Sequence, residues 1–92
     1  MLKIHKGTEE DCIVFQLCGW IRSEEAAELL RLIRAEYQKV ALDLKEVRLV
    51  DRTAVRFLAQ CQAEGIELRS PSAYIREWIS REAAVRIDTS LP

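Results

Sequence analysis

The sequence predicts an α/β fold: a small mixed β-sheet entered through a β-hairpin and continued as α, β, α, β, α, with the helices packed mainly on one face. Three observations lead there. Two apolar runs, residues 12–18 and 39–47, are rich in β-branched residues and too short for free-standing helices. They alternate with segments whose apolar residues recur at spacings of three and four, the mark of a helix with one buried stripe. Helices that connect short strands in this way make the central strands parallel, through right-handed crossovers. The chain of 92 residues forms a single domain, residues 1–92, since a domain usually takes about 100 to 200 residues.

Each element has a local reason. Leu2, Lys3, Ile4 and His5 alternate in period two, and Gly7, Thr8 and the acids that follow predict a hairpin turn near residues 7–10. The run from Cys12 to Cys18 predicts a strand covered on both faces and ended by Gly19. Ser23 offers a hydroxyl N-cap with Glu24 and Glu25 in the first turn. Ala26, Leu30, Ile33 and Tyr37 then form the stripe of a first helix. In KVALDLKEV, Val40, Leu42 and Leu44 share one strand face and Asp43 takes the other.

Residues 51–64 predict a second helix. Asp51 is its N-cap, Val50 and Val55 form a hydrophobic staple, and Ala54, Leu58 and Cys61 point inward. Arg52, Arg56 and Gln60 repeat on another face, and Gly65 provides a left-handed C-terminal stop. Ile66 to Leu68 make a short strand. Ser70 and Pro71 open a third helix as N-cap and first residue, with Tyr74, Ile75, Trp78 and Ile79 as its apolar face. AAVRID fits either a continuation of that helix or an edge strand, and TSLP is a fraying tail.

Composition narrows the function. Apolar residues make up 49% of the chain and charged residues 32%, which supplies both a core and a solvated surface. With 14 Lys and Arg against 15 Asp and Glu, the net charge of −1 gives no global attraction to nucleic acid or anionic lipid. No apolar run approaches the ~18 residues of a membrane span, and the N-terminus lacks the apolar core of a signal peptide. The 3 cysteines are an odd number without a CxxC pair, which predicts reduced thiols in a cytoplasmic protein. With 3 glycines and no GxxxxGK[ST] or GxGxxG, the chain has no phosphate-cradling loop.

Candidate chemistry is sparse. His5 is the one histidine, and a turn near residues 7–10 brings it towards Cys12. Two ligands do not close a zinc site, which takes four. Cys12, Cys18 and Cys61 therefore read as small core hydrophobes, and neither a metal nor a cofactor is expected. Asp43 and Asp51 invite comparison with a catalytic carboxylate pair or an anion site, but they read better as a residue satisfying loop amides and a helix cap. Thr53, at the second position of the helix capped by Asp51, lies among unpaired amides at the positive end of the dipole, flanked by Arg52 and Arg56. Spacing alone favours an ordinary helix start with a solvated arginine face. It also suits a phosphoryl group on the Thr53 hydroxyl.

Three stretches resemble the STAS domain family, the small domains of bacterial anti-sigma factor antagonists and of sulfate-transporter tails. FQLCGWIRSEEAAELLRLI is similar to the family's strand, turn and first helix. KVALDLKEVRLVDRTAVRFL is similar to its hydrophobic strand, Asp-Leu, short loop and Asp-Ser-Ser-Gly helix start, and GIELRSPSAYIREWI to its fourth strand and third helix. Together they cover residues 11–80. The resemblance implies a non-enzymatic bacterial regulator of transcription signalling, in which a serine kinase of the anti-sigma class phosphorylates the second serine of the signature. Here Asp51 matches the Asp, Arg52 the first serine, Thr53 the second serine and Ala54 the glycine.

The expectation is a cytoplasmic protein–protein interaction domain with Thr53 as candidate phosphoacceptor. It docks its anti-sigma factor or kinase through the loop at residues 45–52 and the outer face of the second helix, by Arg48, Asp51, Arg52, Thr53 and Arg56. A second expectation is a STAS subunit held in a transport ATPase or larger signalling assembly, with position 53 structural. A third is a small anion-binding domain or enzyme.

Overall fold

The computed structural model describes the backbone of residues 2–90 and the side chains of residues 2–84. The order is β1 (Leu2–Glu9), β2 (Cys12–Ile21), α1 (Ser23–Arg34), β3 (Lys39–Val50), α2 (Arg52–Ala63), β4 (Glu67–Arg69) and α3 (Ala73–Ser90). The strands form one four-stranded sheet in the order β1-β2-β3-β4, antiparallel between β1 and β2 and parallel thereafter. The predicted α/β class, element order and mixed sheet are those of the structure.

Ile13, Phe15, Leu17 and Ile21 of β2 and Val40, Leu42, Leu44, Val47 and Val50 of β3 form the sheet's side of the core. The helices close it with Ala26 and Leu29 of α1, Ala54, Val55, Leu58 and Cys61 of α2, and Ile75 and Ile79 of α3. Fully burying a Leu, Ile, Val or Phe side chain is worth about 1.5–3 kcal/mol, so this one layer is the main source of stability.

Several boundaries differ from expectation, and long-range pairing explains most of them. The hairpin turns at Glu10 and Asp11 rather than at 7–10, because the ladder runs on through Lys6↔Phe15 and Gly7↔Val14 to Glu9↔Cys12. Glu10 takes the left-handed conformation that so tight a turn needs, at φ 49°. Gly19 does not end β2. At φ 117° it lets the strand pass a register shift and continue to Ile21. The same pairing carries β3 to Val50, so most of the expected loop at 45–52 is strand, with Glu46, Val47, Leu49 and Val50 opposite Cys18, Gly19, Trp20 and Ile21. Nor is β2 covered on both faces. Val14 and Ala41, opposite each other, are buried on the second face, but Gln16 and Cys18 are exposed there.

Helix starts shift as well. Ser23 is the first residue of α1 rather than its cap: Arg22 holds the cap position, its amide donates to the Glu25 carboxylate at 2.9 Å, and the Ser23 hydroxyl donates to Glu24. The buried stripe runs through Ala26 and Leu29, and Leu30 is half-buried. Because α1 stops at Arg34, Tyr37 leaves the stripe and lies fully exposed in the connection to β3. In α3 the Ser72 hydroxyl, not Ser70, accepts the first-turn amide of Ile75 at 3.3 Å. Ser70 sits instead at φ 53° as the chain leaves β4. AAVRID continues α3, whose helical residues extend to Thr89 and Ser90. Leu91 and Pro92, the end of the expected tail, lie outside the described residues.

Candidate functional site

The site is built at the ends of β2 and β3, where Asp51 turns the chain into α2. Its Oδ1 accepts the amide of Ala54 at 2.8 Å, the N-cap bond expected from sequence. Its Oδ2 accepts the amide of Ser23 at 3.0 Å, a bond to the start of α1 that no local pattern reveals. The Asp51 amide donates to the carbonyl of Ile21 at 3.2 Å. One residue thereby ties the two helix starts to the end of β2. The staple is present too, with Val50 and Val55 both in the core.

Within that first turn the exposed and buried positions separate cleanly. Arg52 and Thr53 face solvent; Ala54 and Val55 are sealed. The methyl group of Ala54 points into the core, so at this position the absence of glycine takes no room from a partner. Thr53 is the second helical residue of α2, exposed at a helix N-terminus as its spacing predicts. Arg56, one turn on, donates through Nε to Glu82 Oε1 of α3 at 3.1 Å and is anchored there. Arg48, near the end of β3, is exposed. The first turn of α2 has no acid. That of α1 has two, and the Glu24 carboxyl is held below the usual carboxylate range by its own backbone amide, then by the Ser23 hydroxyl.

Sequence reasoning missed three residues at this end. Trp20 and Leu49 are neighbours across β2 and β3 and both are exposed, at 36% and 50%. The Arg22 guanidinium stacks over the Trp20 ring, 3.8 Å from its centroid. Their only sequence signal is a tryptophan two residues before an arginine at a strand-to-helix turn.

The other candidates disperse. His5 pairs with Gln16, and Cys12 with Glu9, so the register parts the histidine from that thiol. Cys18 lies nearer, opposite Lys3, in a shallow cleft of about 410 Å³ on the helix-free face that His5, Asp43 and Lys45 also line. Of the three cysteines only Cys61 is a buried core residue; Cys12 is half-buried and Cys18 exposed. Burial, and secondarily the charge of Glu64, pushes the Cys61 thiol up to about 12. Asp43 accepts the Lys45 amide at 3.0 Å, satisfying the backbone as expected. It stands eight strand residues before Asp51, about 25 Å along an extended chain, and the two are no catalytic pair. Among the described residues no group of three or more His, Cys, Asp or Glu is arranged to hold a metal, and no helix is long and apolar enough to cross a membrane.

No family model matches the chain, and no curated protein does. Solved structures match it. The anti-sigma factor antagonist SpoIIAA in its unphosphorylated form superposes with a TM-score of 0.64 at 12% identity, over 96% of this chain and 98% of that one. An antisigma-factor antagonist STAS domain from Rhodobacter sphaeroides superposes with a TM-score of 0.54 at 16% identity, over 89% of this chain and 90% of that one. A structure described as Mglu reaches a TM-score of 0.60 at 24% identity over 75% of this chain, but the matched part is 20% of that much longer chain. The fold is that of SpoIIAA and STAS domain proteins.

Proposed function

We propose that this domain is a regulatory protein-interaction module, without catalysis of its own, that docks a partner through the start of α2 and is switched by phosphorylation of Thr53. One observation carries the reading: Thr53 presents an exposed hydroxyl at a helix N-terminus that Asp51 caps, and among the described residues no hydrogen bond engages it. The Asp51 carboxylate occupies the Ala54 amide, while the first two amides of the helix, those of Arg52 and Thr53, remain for an incoming anion. A phosphoryl group there gains from the dipole, by about 0.3–1 kcal/mol for an exposed charge. Arg52 beside it supplies a charge-assisted hydrogen bond.

The modification adds about −1.5 to −2 units of charge beside Arg52. A partner fitted to the bare hydroxyl and its arginines loses that fit, which is how a local charge releases a docked protein. The fold shared with SpoIIAA supports an anti-sigma factor or its serine kinase as the partner. Incubation with ATP and the cognate kinase, followed by intact-mass measurement, is expected to add one phosphate, and none to Thr53→Ala. Thr53→Asp is expected to lose the partner that copurifies with the unmodified domain. An unchanged mass retires the switch, and a partner held equally by both forms retires the docking site.

A further inference from the structure

The end of the sheet around Asp51 gathers arginines and acids in equal number, and the two differ in what they are bonded to. Arg22, Arg48 and Arg52 surround it, and among the described residues none of the three stands in an ion pair. Two nearby acids are engaged with backbone instead, Asp51 with the amides of Ser23 and Ala54 and Glu25 with that of Arg22. Glu24 holds the Ser23 hydroxyl. These carboxylates sit at helix N-termini, where the dipole already matches their charge.

Amid the arginines lie Trp20 and Leu49, side by side and exposed. Single exposed apolar side chains are ordinary on a protein surface. A tryptophan held under a guanidinium, adjoining a leucine and bordered by further arginines, is the composition of an interface centre, where Trp and Arg carry a large share of binding energy.

We infer that the partner presents an acidic segment with one large apolar side chain, which seats against Trp20 and Leu49 while its carboxylates meet Arg22, Arg48 and Arg52. The inference rests on the docking reading of Thr53 and explains its switch, since a phosphate beside Arg52 neutralises that arginine and repels the same carboxylates. Nucleic acid fits this surface less well. Tight duplex binding draws on about 6–10 phosphate contacts, whereas three arginines stand outside ion pairs here among the described residues.

Panning phage-displayed random dodecapeptides on the full-length unphosphorylated domain tests the inference. Net-acidic peptides containing Leu, Phe or Trp are expected to be enriched. Their synthetic forms are expected to shift the emission of Trp20, read in a Trp78→Phe background, and to bind about tenfold or more weakly to Arg22→Glu, Arg48→Glu and Arg52→Glu. Circular dichroism verifies that each variant is folded. Neutral or basic consensus peptides, no enrichment, equal affinity for the arginine variants, or tighter binding of a polythymidine strand than of the peptides each overturn it. A native partner that leaves Thr53→Asp but stays on all three arginine variants keeps the docking reading and removes the acidic partner. A partner indifferent to every substitution removes both.

Discussion

Asp51 is the residue on which the geometry of the candidate site depends, and its cost of removal can be worked from its bonds. Truncating an N-cap aspartate to alanine costs about 0.5–2 kcal/mol, typically about 1. Asp51 also accepts the Ser23 amide from the start of α1 at 3.0 Å, and a hydrogen bond to a charged group adds about 1.5 kcal/mol or more. Asp51→Ala is therefore expected to lose about 2.5 kcal/mol. In a domain of this size that lowers Tm by about 10–20 °C. Asp51→Ser separates the two parts. A serine hydroxyl can still cap Ala54 but is too short to reach Ser23, so this variant is expected to lose about 1.5 kcal/mol. Urea denaturation followed by circular dichroism at constant m-value gives both numbers. An Asp51→Ala cost below about 0.5 kcal/mol, or an equal cost for the two variants, refutes the dual role.

Other consequences are smaller but as specific. Arg56→Ala leaves Glu82, 8% exposed, without its partner and is expected to cost about 1–3 kcal/mol in the same assay, with partial recovery in Arg56→Lys. Thr53→Ala is expected to leave stability within about 0.5 kcal/mol, and Thr53→Asp to raise it by about 0.3–1 kcal/mol through the dipole, so that partner loss in these variants is not unfolding. In native protein a thiol reagent is expected to label Cys18 and to spare Cys61 until denaturant is added. The unfolded Cys61 thiol loses its proton near pH ~8.5, whereas the folded one keeps it to about 12. Its contribution to stability is thus intact below pH ~8.5 and declines as pH rises through that window, by at most about 1.4 kcal/mol per pH unit, a slope that Cys61→Ala is expected to lack.

What the sequence disclosed and what it hid divide by range. The Asp51 cap, the Val50–Val55 staple, the inward stripe of α2 and the left-handed Gly65 at φ 93° are decided within one or two turns, and each is where the pattern puts it. Gly19 reads locally as a stop but lies within β2 beside a register shift whose extra residue, Arg48, is on β3, because β3 offers partners as far as Val50. The unbroken run Ile13, Val14, Phe15 reads as a strand buried on both faces. Those three residues are buried so, Val14 against Ala41, but Gln16 and Cys18 further along the second face are exposed, a distinction that no local pattern carries. Ser70 reads locally as the cap of α3, but the chain is still leaving β4 there and the capping bond falls to Ser72. At the site, Thr53 was legible because helix phase fixes its exposure. Trp20 and Leu49 were not, since a strand residue's exposure depends on which face the helices take.

The division of labour within one turn of α2 has a consequence for specificity. Asp51, Ala54 and Val55 carry the bonds and the burial that hold this end of the fold, while Arg52 and Thr53 between them touch solvent. No side chain is shared between the two sets. Substitution at the exposed pair therefore costs the fold little, so this surface can vary in charge and shape without passing through an unstable intermediate. The STAS signature has a small residue where this chain carries Arg52. The same separation makes that replacement tolerable: the guanidinium projects from a helix start whose geometry Asp51 already determines. A cation added at a rigid, pre-capped turn changes which charges are welcome there, and it does so without moving Thr53.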